Sequence, residues 1–250
     1  MNQPYEQISA SEIFFLADSH FRDRRLPGEA ERRLRFTRLL ESVPSDGAVM
    51  LLGDIFDFFF EYRGFVPKRY FDVYDALFRC SSRGVDVRFL GGNHDYWFGN
   101  FLEDEIGVRS HGEHLFVECQ GRRIWCTHGD LFMPGDQNYT TIRSILRNRY
   151  VIAAAKIIHP DIMDFIAEKV SYGSKSRDRG SIEDMAEELA ARPTDEFFSR
   201  GNDVFAMGHV HYPLLRQKNG NAFLIVGDWI TKFTYGKMKD GRISLETFSS

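Results

Sequence analysis

IFFLADSH (residues 13–20) runs a short apolar stretch straight into an aspartate and a histidine, and four later stretches repeat that design. They are VMLLGDIFD (49–57), VRFLGGNHD (87–95), RIWCTHGD (123–130) and VFAMGHVH (204–211). Short apolar runs beside Gly or polar residues read as buried strands. The polar residues then fall on loops leaving the strand ends, where a rigid scaffold aims them at a common point. Seven of them are of metal-ligand type: Asp18, His20, Asp54, Asn93, His128, His209 and His211. Mixed Asp/His/Asn donors suit a hard to borderline divalent cation and match a thiolate site poorly. Seven donors exceed what one such ion takes, whereas two ions sharing a bridging carboxylate use them all.

Between the strands the pattern is helical. Residues 29–43 read as an amphipathic helix with Leu34, Leu39 and Leu40 inward, and roughly 68–82 as a second helix with Gly84 placed to end it. Strand–helix–strand–helix–strand is the grammar of a parallel sheet. HLFVECQGRRIWCTHGD (114–130) then reads as a hairpin carrying His128 on its exit. From about 136 to 200 the chain turns helical and more polar, which reads as an insertion with helices in 136–158, 160–170 and 181–192. Strands and hairpins return after it, with NGN and DGR as turns.

The composition is that of an ordinary globular protein, with 43% hydrophobic and 27% charged residues. A net charge of −4 gives no global reason to expect a nucleic-acid partner. Cys80, Cys119 and Cys126 form no CxxC pair, which fits buried free thiols in a reducing compartment. MNQPYEQISA has neither a basic nor an apolar signal region, and no apolar run approaches the ~20 residues of a spanning helix. The expectation is a cytoplasmic protein, with peripheral contact to the inner membrane left open. Phenylalanine stands out at 23 copies, clustered in FDFFF (56–60) and YWFGNF (96–101) beside the ligand loops. These aromatics serve either core packing or an apolar groove.

The order DxH, GDxxD, GNHD, HGD, GHxH resembles the calcineurin-like metallophosphoesterase superfamily over nearly the whole chain. The resemblance implies a single α/β domain over 1–250, a four-layer α-β-β-α sandwich of two mixed sheets with the site at the strand ends. It implies one ion held by Asp18, His20, Asp54 and His211, and a second by Asp54, Asn93, His128 and His209, with Asp54 as the bridge. Mn²⁺ is the ion it suggests, and the donor set would also accept Fe, Zn or Co. Two such ions roughly 3.5–4 Å apart generate a hydroxide that attacks phosphorus in line with the leaving oxygen. His94 matches the superfamily's leaving-group histidine, and Asp57 the carboxylate that orients it. Asp95 and Asp130 read as loop-structuring carboxylates, and His111, His114 and His159 as surface or loop residues.

ADSHF, LLGDIFDFFFE, GGNHDYWFG and THGD followed by DQNYTTIR resemble the UDP-2,3-diacylglucosamine hydrolases of lipid A synthesis more closely. That family releases UMP and an acylated sugar phosphate. Carried over by motif, Asp136, Tyr139, Arg143 and, in the cap, Ser174 would contact substrate. Arg147 shares a helix face with Arg143 at i, i+4, and the pair would bind a second phosphate or form a solvated face. Two departures stand out. The best-known members have arginine where this chain has His94, and glutamate where it has Asp57. The family's cap Asn and Lys fall at Asp178 and Ser181. Phosphodiesterase or phosphomonoesterase activity on nucleotides and other small phosphate esters is therefore the alternative, and a non-catalytic scaffold the third. Apolar residues in 140–170 would form an acyl groove or pack as core. The sequence leaves oligomeric state open.

Overall fold

The computed structural model describes residues 4–133, 137–163, 165, 179–192, 197–198 and 200–249. Twelve strands among them form two six-stranded sheets. One sheet runs in the order β12-β11-β2-β3-β4-β5. Its members are β2 (Glu12–Leu16), β3 (Ala48–Leu51), β4 (Asp86–Leu90), β5 (Arg109–His111), β11 (Thr234–Lys239) and β12 (Arg242–Thr247). The other runs β1-β6-β7-β8-β10-β9. It holds β1 (Glu6–Gln7), β6 (His114–Cys119), β7 (Arg122–Thr127), β8 (Val204–Met207), β9 (Pro213–Lys218) and β10 (Asn221–Val226).

Period-two alternation builds the layers, because successive side chains leave a strand on opposite faces. In β2, Ile13 and Phe15 point between the sheets and meet Val117, Ile124, Val204 and Leu224 of the facing sheet. Phe14 and Leu16 point outward onto α1 (Glu29–Ser42) and α2 (Phe71–Ser82), where Phe36, Leu39, Leu40 and Leu77 wait. The outer face of the second sheet, with Trp125, Phe205 and Phe223, is covered by Ala186 and Leu189 of α6 (Arg179–Ala191). The result is the expected α-β-β-α sandwich. Of the segment read as an insertion, α6 therefore supplies a layer of the sandwich itself.

Two local expectations are corrected. Leu34 is 44% exposed, while Arg33 and Phe36 take the inward positions. At about 100° per residue, Leu34 lies ~200° from Phe36 and cannot share its face. The helix read as one piece over 136–158 is broken into α4 (Gln137–Leu146) and α5 (Arg149–Ala155), because the Asn148 side chain accepts from the Tyr150 amide and caps a new start. Of the two roles left open for the apolar residues of 140–170, core packing does not apply to Ile145, Leu146, Ile157, Ile158, Ile162 and Phe165, which are exposed. The FDFFF cluster does pack: Phe56, Phe59 and Phe60 are buried, and Phe60 with Trp97 and Met163 joins sheet loops to the cap helices. A short α3 (Phe101–Asp104) lies between β4 and β5.

Candidate metal centre

Strand direction delivers the ligand candidates to one edge. β2, β3 and β4 are parallel neighbours, and so are β7 and β8. Asp18, Asp54 and Asn93 follow the carboxyl ends of the first three, and His128, His209 and His211 those of the other two. Open α/β sheets place their sites at such ends. The turns leaving these strands are sharp. Nine non-glycine residues adopt positive φ among those described, and five are Asp18, His20, Asp54, His209 and His211. Left-handed backbone is costly away from glycine and clusters at functional sites.

The side chains converge. Asp54 Oδ2 lies 3.5 Å from His20 Nε2 and 3.4 Å from His128 Nε2. On one side of it, His20 Nε2 is 3.3 Å from His211 Nε2, which is 3.3 Å from Asp18 Oδ1. On the other, Asn93 Oδ1 stands 3.0 Å from both His128 Nε2 and His209 Nδ1, which are 3.2 Å apart. All seven candidates thus gather into two groups with Asp54 between them.

A cation fits this arrangement. Asp18 Oδ1 is buried with no hydrogen-bond partner among the described residues, and buried carboxylate oxygens are seldom left so. His128 Nδ1 is 2.9 Å from the Leu52 carbonyl. Donating its N–H there leaves the Nε2 lone pair facing Asp54 and Asn93, the tautomer a metal-ligating histidine uses. Burial would raise the Asp54 carboxyl, but the imidazoles of His128, His94 and His20 override it and hold it well below the usual range. His209 is pushed down to about 3 by burial and by His128 beside it. Burial lowers His128 as well, yet Asp54 outweighs it and draws a proton there, to about 10. A buried anion surrounded by converging lone pairs calls for positive charge, which a divalent ion would supply in place of that proton.

The loops are tied to one another. The Asp18 amide donates to the Gly53 carbonyl, the His20 amide to that of Asp54, and the His209 amide to Asp18 Oδ2 at 2.7 Å. Asp95 is fully buried and does far more than structure its own turn. Its two oxygens accept from the amides of Gly92, Asp54, Ile55 and Phe56 at 2.7–3.2 Å. Burial, reinforced by Asp54, pushes its carboxyl up to about 6.

His94 and Asp57 sit together, and with His20 they bring ligand-type atoms within 4.8 Å of one another. His94 Nδ1 lies 2.8 Å from the backbone carbonyl of Asp57, while the Asp57 carboxylate stands 3.9 Å from His20 Nδ1. The His94 ring meets His20 edge-on, with centroids 4.7 Å apart. A carbonyl can only accept, so Nδ1 carries the proton of that bond and Nε2 is the remaining ring nitrogen.

Asp130 is not a simple loop cap. It accepts from Arg143 Nε at 2.5 Å, and Glu113 joins both Arg143 and Arg147. Glu113 carries no sequence signal, because its partner Arg147 lies 34 positions away. Burial opposes ionisation of Asp130, but His128 and Arg143 hold its carboxyl down at about 2. Asp136 and Ser174 lie outside the described residues. Tyr139 falls within α4. His111 and His114 are half-buried strand residues, and His159 is exposed beside Asp161.

The family model described as calcineurin-like phosphoesterase matches residues 11–213. A Porphyromonas gingivalis protein named UDP-2,3-diacylglucosamine hydrolase is 28% identical over 257 residues, covering 95% of this chain and 97% of its own length. A Stenotrophomonas maltophilia protein of the same name is 28% identical, with 94% and 98% covered. Among solved structures, an archaeal phosphodiesterase aligns with 94% of this chain and 98% of its own at 11% identity and a TM-score of 0.48.

Proposed function

This chain belongs to the calcineurin-like phosphoesterase family of metal-dependent hydrolases, and from that premise we propose that it cleaves the diphosphate of UDP-2,3-diacylglucosamine or a close lipid-linked nucleotide sugar to UMP and an acylated sugar 1-phosphate. Asp18, His20, Asp54 and His211 would hold one divalent ion, and Asp54, Asn93, His128 and His209 the other. When bound, such a pair lowers the pKa of water and clamps phosphoryl oxygens. Mn²⁺ is the preferred ion, with Fe, Zn or Co also suited to the donors. His94 Nε2 would protonate the leaving oxygen, and the Asp57 carbonyl fixes the ring that carries it.

The observation that carries the lipid reading is a set of large apolar side chains left exposed in the helical segment that follows α4. Ile157 is 86% exposed, Phe165 61% and Ile162 54%. A run of large apolar residues left in water marks a surface that something covers, and each buried acyl methylene would contribute about 0.8 kcal/mol. With α6 packed as a layer of the sandwich, α4 and α5 are read as the substrate cover, and the exposed apolar residues support peripheral contact with the inner membrane. No described helix is long and apolar enough to cross a membrane.

His94 favours a second reading, a phosphodiesterase or phosphomonoesterase acting on other small phosphate esters. An alkoxide leaving group needs a proton donor far more than a phosphate does. Release of UMP from UDP-diacylglucosamine and from UDP-N-acetylglucosamine separates the two. Strong preference for the acylated substrate supports the first reading, and indifference to acylation sinks it.

A further inference from the structure

Arg143 on α4 and Arg147 just beyond its end share a single carboxylate oxygen. Glu113 Oε1 lies 2.7 Å from Arg143 Nη2 and 3.0 Å from Arg147 Nη1. The other contacts pin the two guanidinia to the ligand loops. Arg143 Nε donates to Asp130, two residues after His128. Arg147 Nη2 donates to the carbonyl of Gly92, the neighbour of Asn93, at 2.8 Å. The Arg147 guanidinium also lies 4.8 Å from the Tyr96 ring centroid. The fork therefore borders the Asn93/His128/His209 half of the centre.

Glu113 differs from the rest of this network. Its side chain is 41% exposed, against 4% for Asp130, 11% for Arg143 and 16% for Arg147. It leaves the turn between β5 and β6 beside Gly112, and nothing lies within 4 Å of where a Gly112 Cβ would sit. The Glu113 carbonyl is held by the Thr127 hydroxyl, which donates to it at 3.0 Å, so only the exposed side chain has to turn away. One Glu113 oxygen serves two guanidinia, as a phosphate oxygen can. Arg147 Nε is buried and has no hydrogen-bond partner among the described residues, so the fork holds a donor that Glu113 does not satisfy. Two guanidinia face two carboxylates, and exchanging the exposed carboxylate for a phosphate keeps the charge close to balance.

We propose that Glu113 is an internal stand-in for a substrate phosphate, a specificity-determining residue that aligns the Arg143/Arg147 fork and yields it to the non-scissile phosphate of a diphosphate. The proposal rests on the diphosphate reading above. A substrate with two phosphates must displace Glu113, whereas an ester with one leaves it in place.

The test uses the metal-loaded enzyme titrated calorimetrically with inorganic pyrophosphate and with orthophosphate. Both anions meet the metals, and only pyrophosphate also spans to the fork. In Glu113→Gln and Glu113→Ala, pyrophosphate affinity relative to orthophosphate rises roughly 3–10-fold, the effect of removing two partly exposed ion pairs. That gain vanishes in an Arg147→Gln background. An unchanged or reduced ratio, or a gain that persists without Arg147, overturns the proposal. If the ratio behaves as expected but UDP-diacylglucosamine is not cleaved, the substrate reading fails alone. If that substrate is cleaved while the ratio ignores Glu113, the stand-in fails alone.

Discussion

Gly92→Ala adds one methyl group at the point where two ligand loops touch. The Cβ would sit 2.1 Å from Asp54 Oδ1 and 2.5 Å from the Asp54 amide nitrogen. Gly92 does not occupy the left-handed region, so alanine brings no backbone strain and the effect is steric. Ordinary contact begins near 3.4 Å, so the loops must part by about 1.3 Å. Asp54 cannot turn aside, because its Oδ1 accepts from the His94 amide at 2.9 Å and its own amide donates to Asp95 at 3.0 Å. The shift therefore reaches the carboxylate that faces both ligand groups. Sites tolerate about 0.5 Å of displacement, and ~1 Å costs on the order of 10²-fold in rate. We expect kcat/KM on an aryl phosphodiester to fall about 10²-fold and bound metal to drop from two ions towards one. Stability should fall by about 1–3 kcal/mol, the usual cost of overpacking. Elemental analysis and steady-state kinetics on the purified variant read both. Two retained ions with turnover within a factor of a few of wild type would refute the reasoning.

Further outcomes follow from particular contacts. His94→Ala should lose ~10²–10⁴-fold on diesters with alkoxide leaving groups and less on diphosphates, measured as kcat on both; equal losses contradict an acid role. Phe36→Ala, fully buried, should cost about 3–5 kcal/mol in urea unfolding, whereas Leu34→Ala, 44% exposed, should stay within about 0.5 kcal/mol. Glu12 is paired to Lys237 and Lys239 at 2.8 Å each, and hydrogen bonding to Lys237, then Lys239, lowers its carboxyl. A depressed folded pKa gives stability that is present above the unfolded value of 4.5 and lost as pH falls through the folded one. Glu12→Gln should therefore cost about 1 kcal/mol at neutral pH, with the difference from wild type vanishing in acid; a constant difference would contradict it.

Most of the strands, the parallel order of β2, β3 and β4, and the seven candidate donors are legible in the chain because those features are local, whereas the short edge strands β1 and β5 carry no such apolar run. Apolar runs of four to six residues with a polar residue at the exit fix a strand and where its loop begins, whatever else the chain does. Two misleading features are equally local: Leu34 is apolar but lies at the wrong helical angle, and the break at Asn148 hides in an otherwise continuous helical pattern. Tertiary structure alone decided everything that depends on distant partners. Asp95 reads as a turn residue until its oxygens are seen on the amides of the Asp54 loop, some 40 positions away. Asp57 reaches His94 through its carbonyl, which no side-chain motif announces. Arg143 and Arg147 look like a free basic face, yet Asp130 and Glu113 hold them. Donor types are written in the chain, but which donors face one another is set by how two sheets stack and where their loops meet.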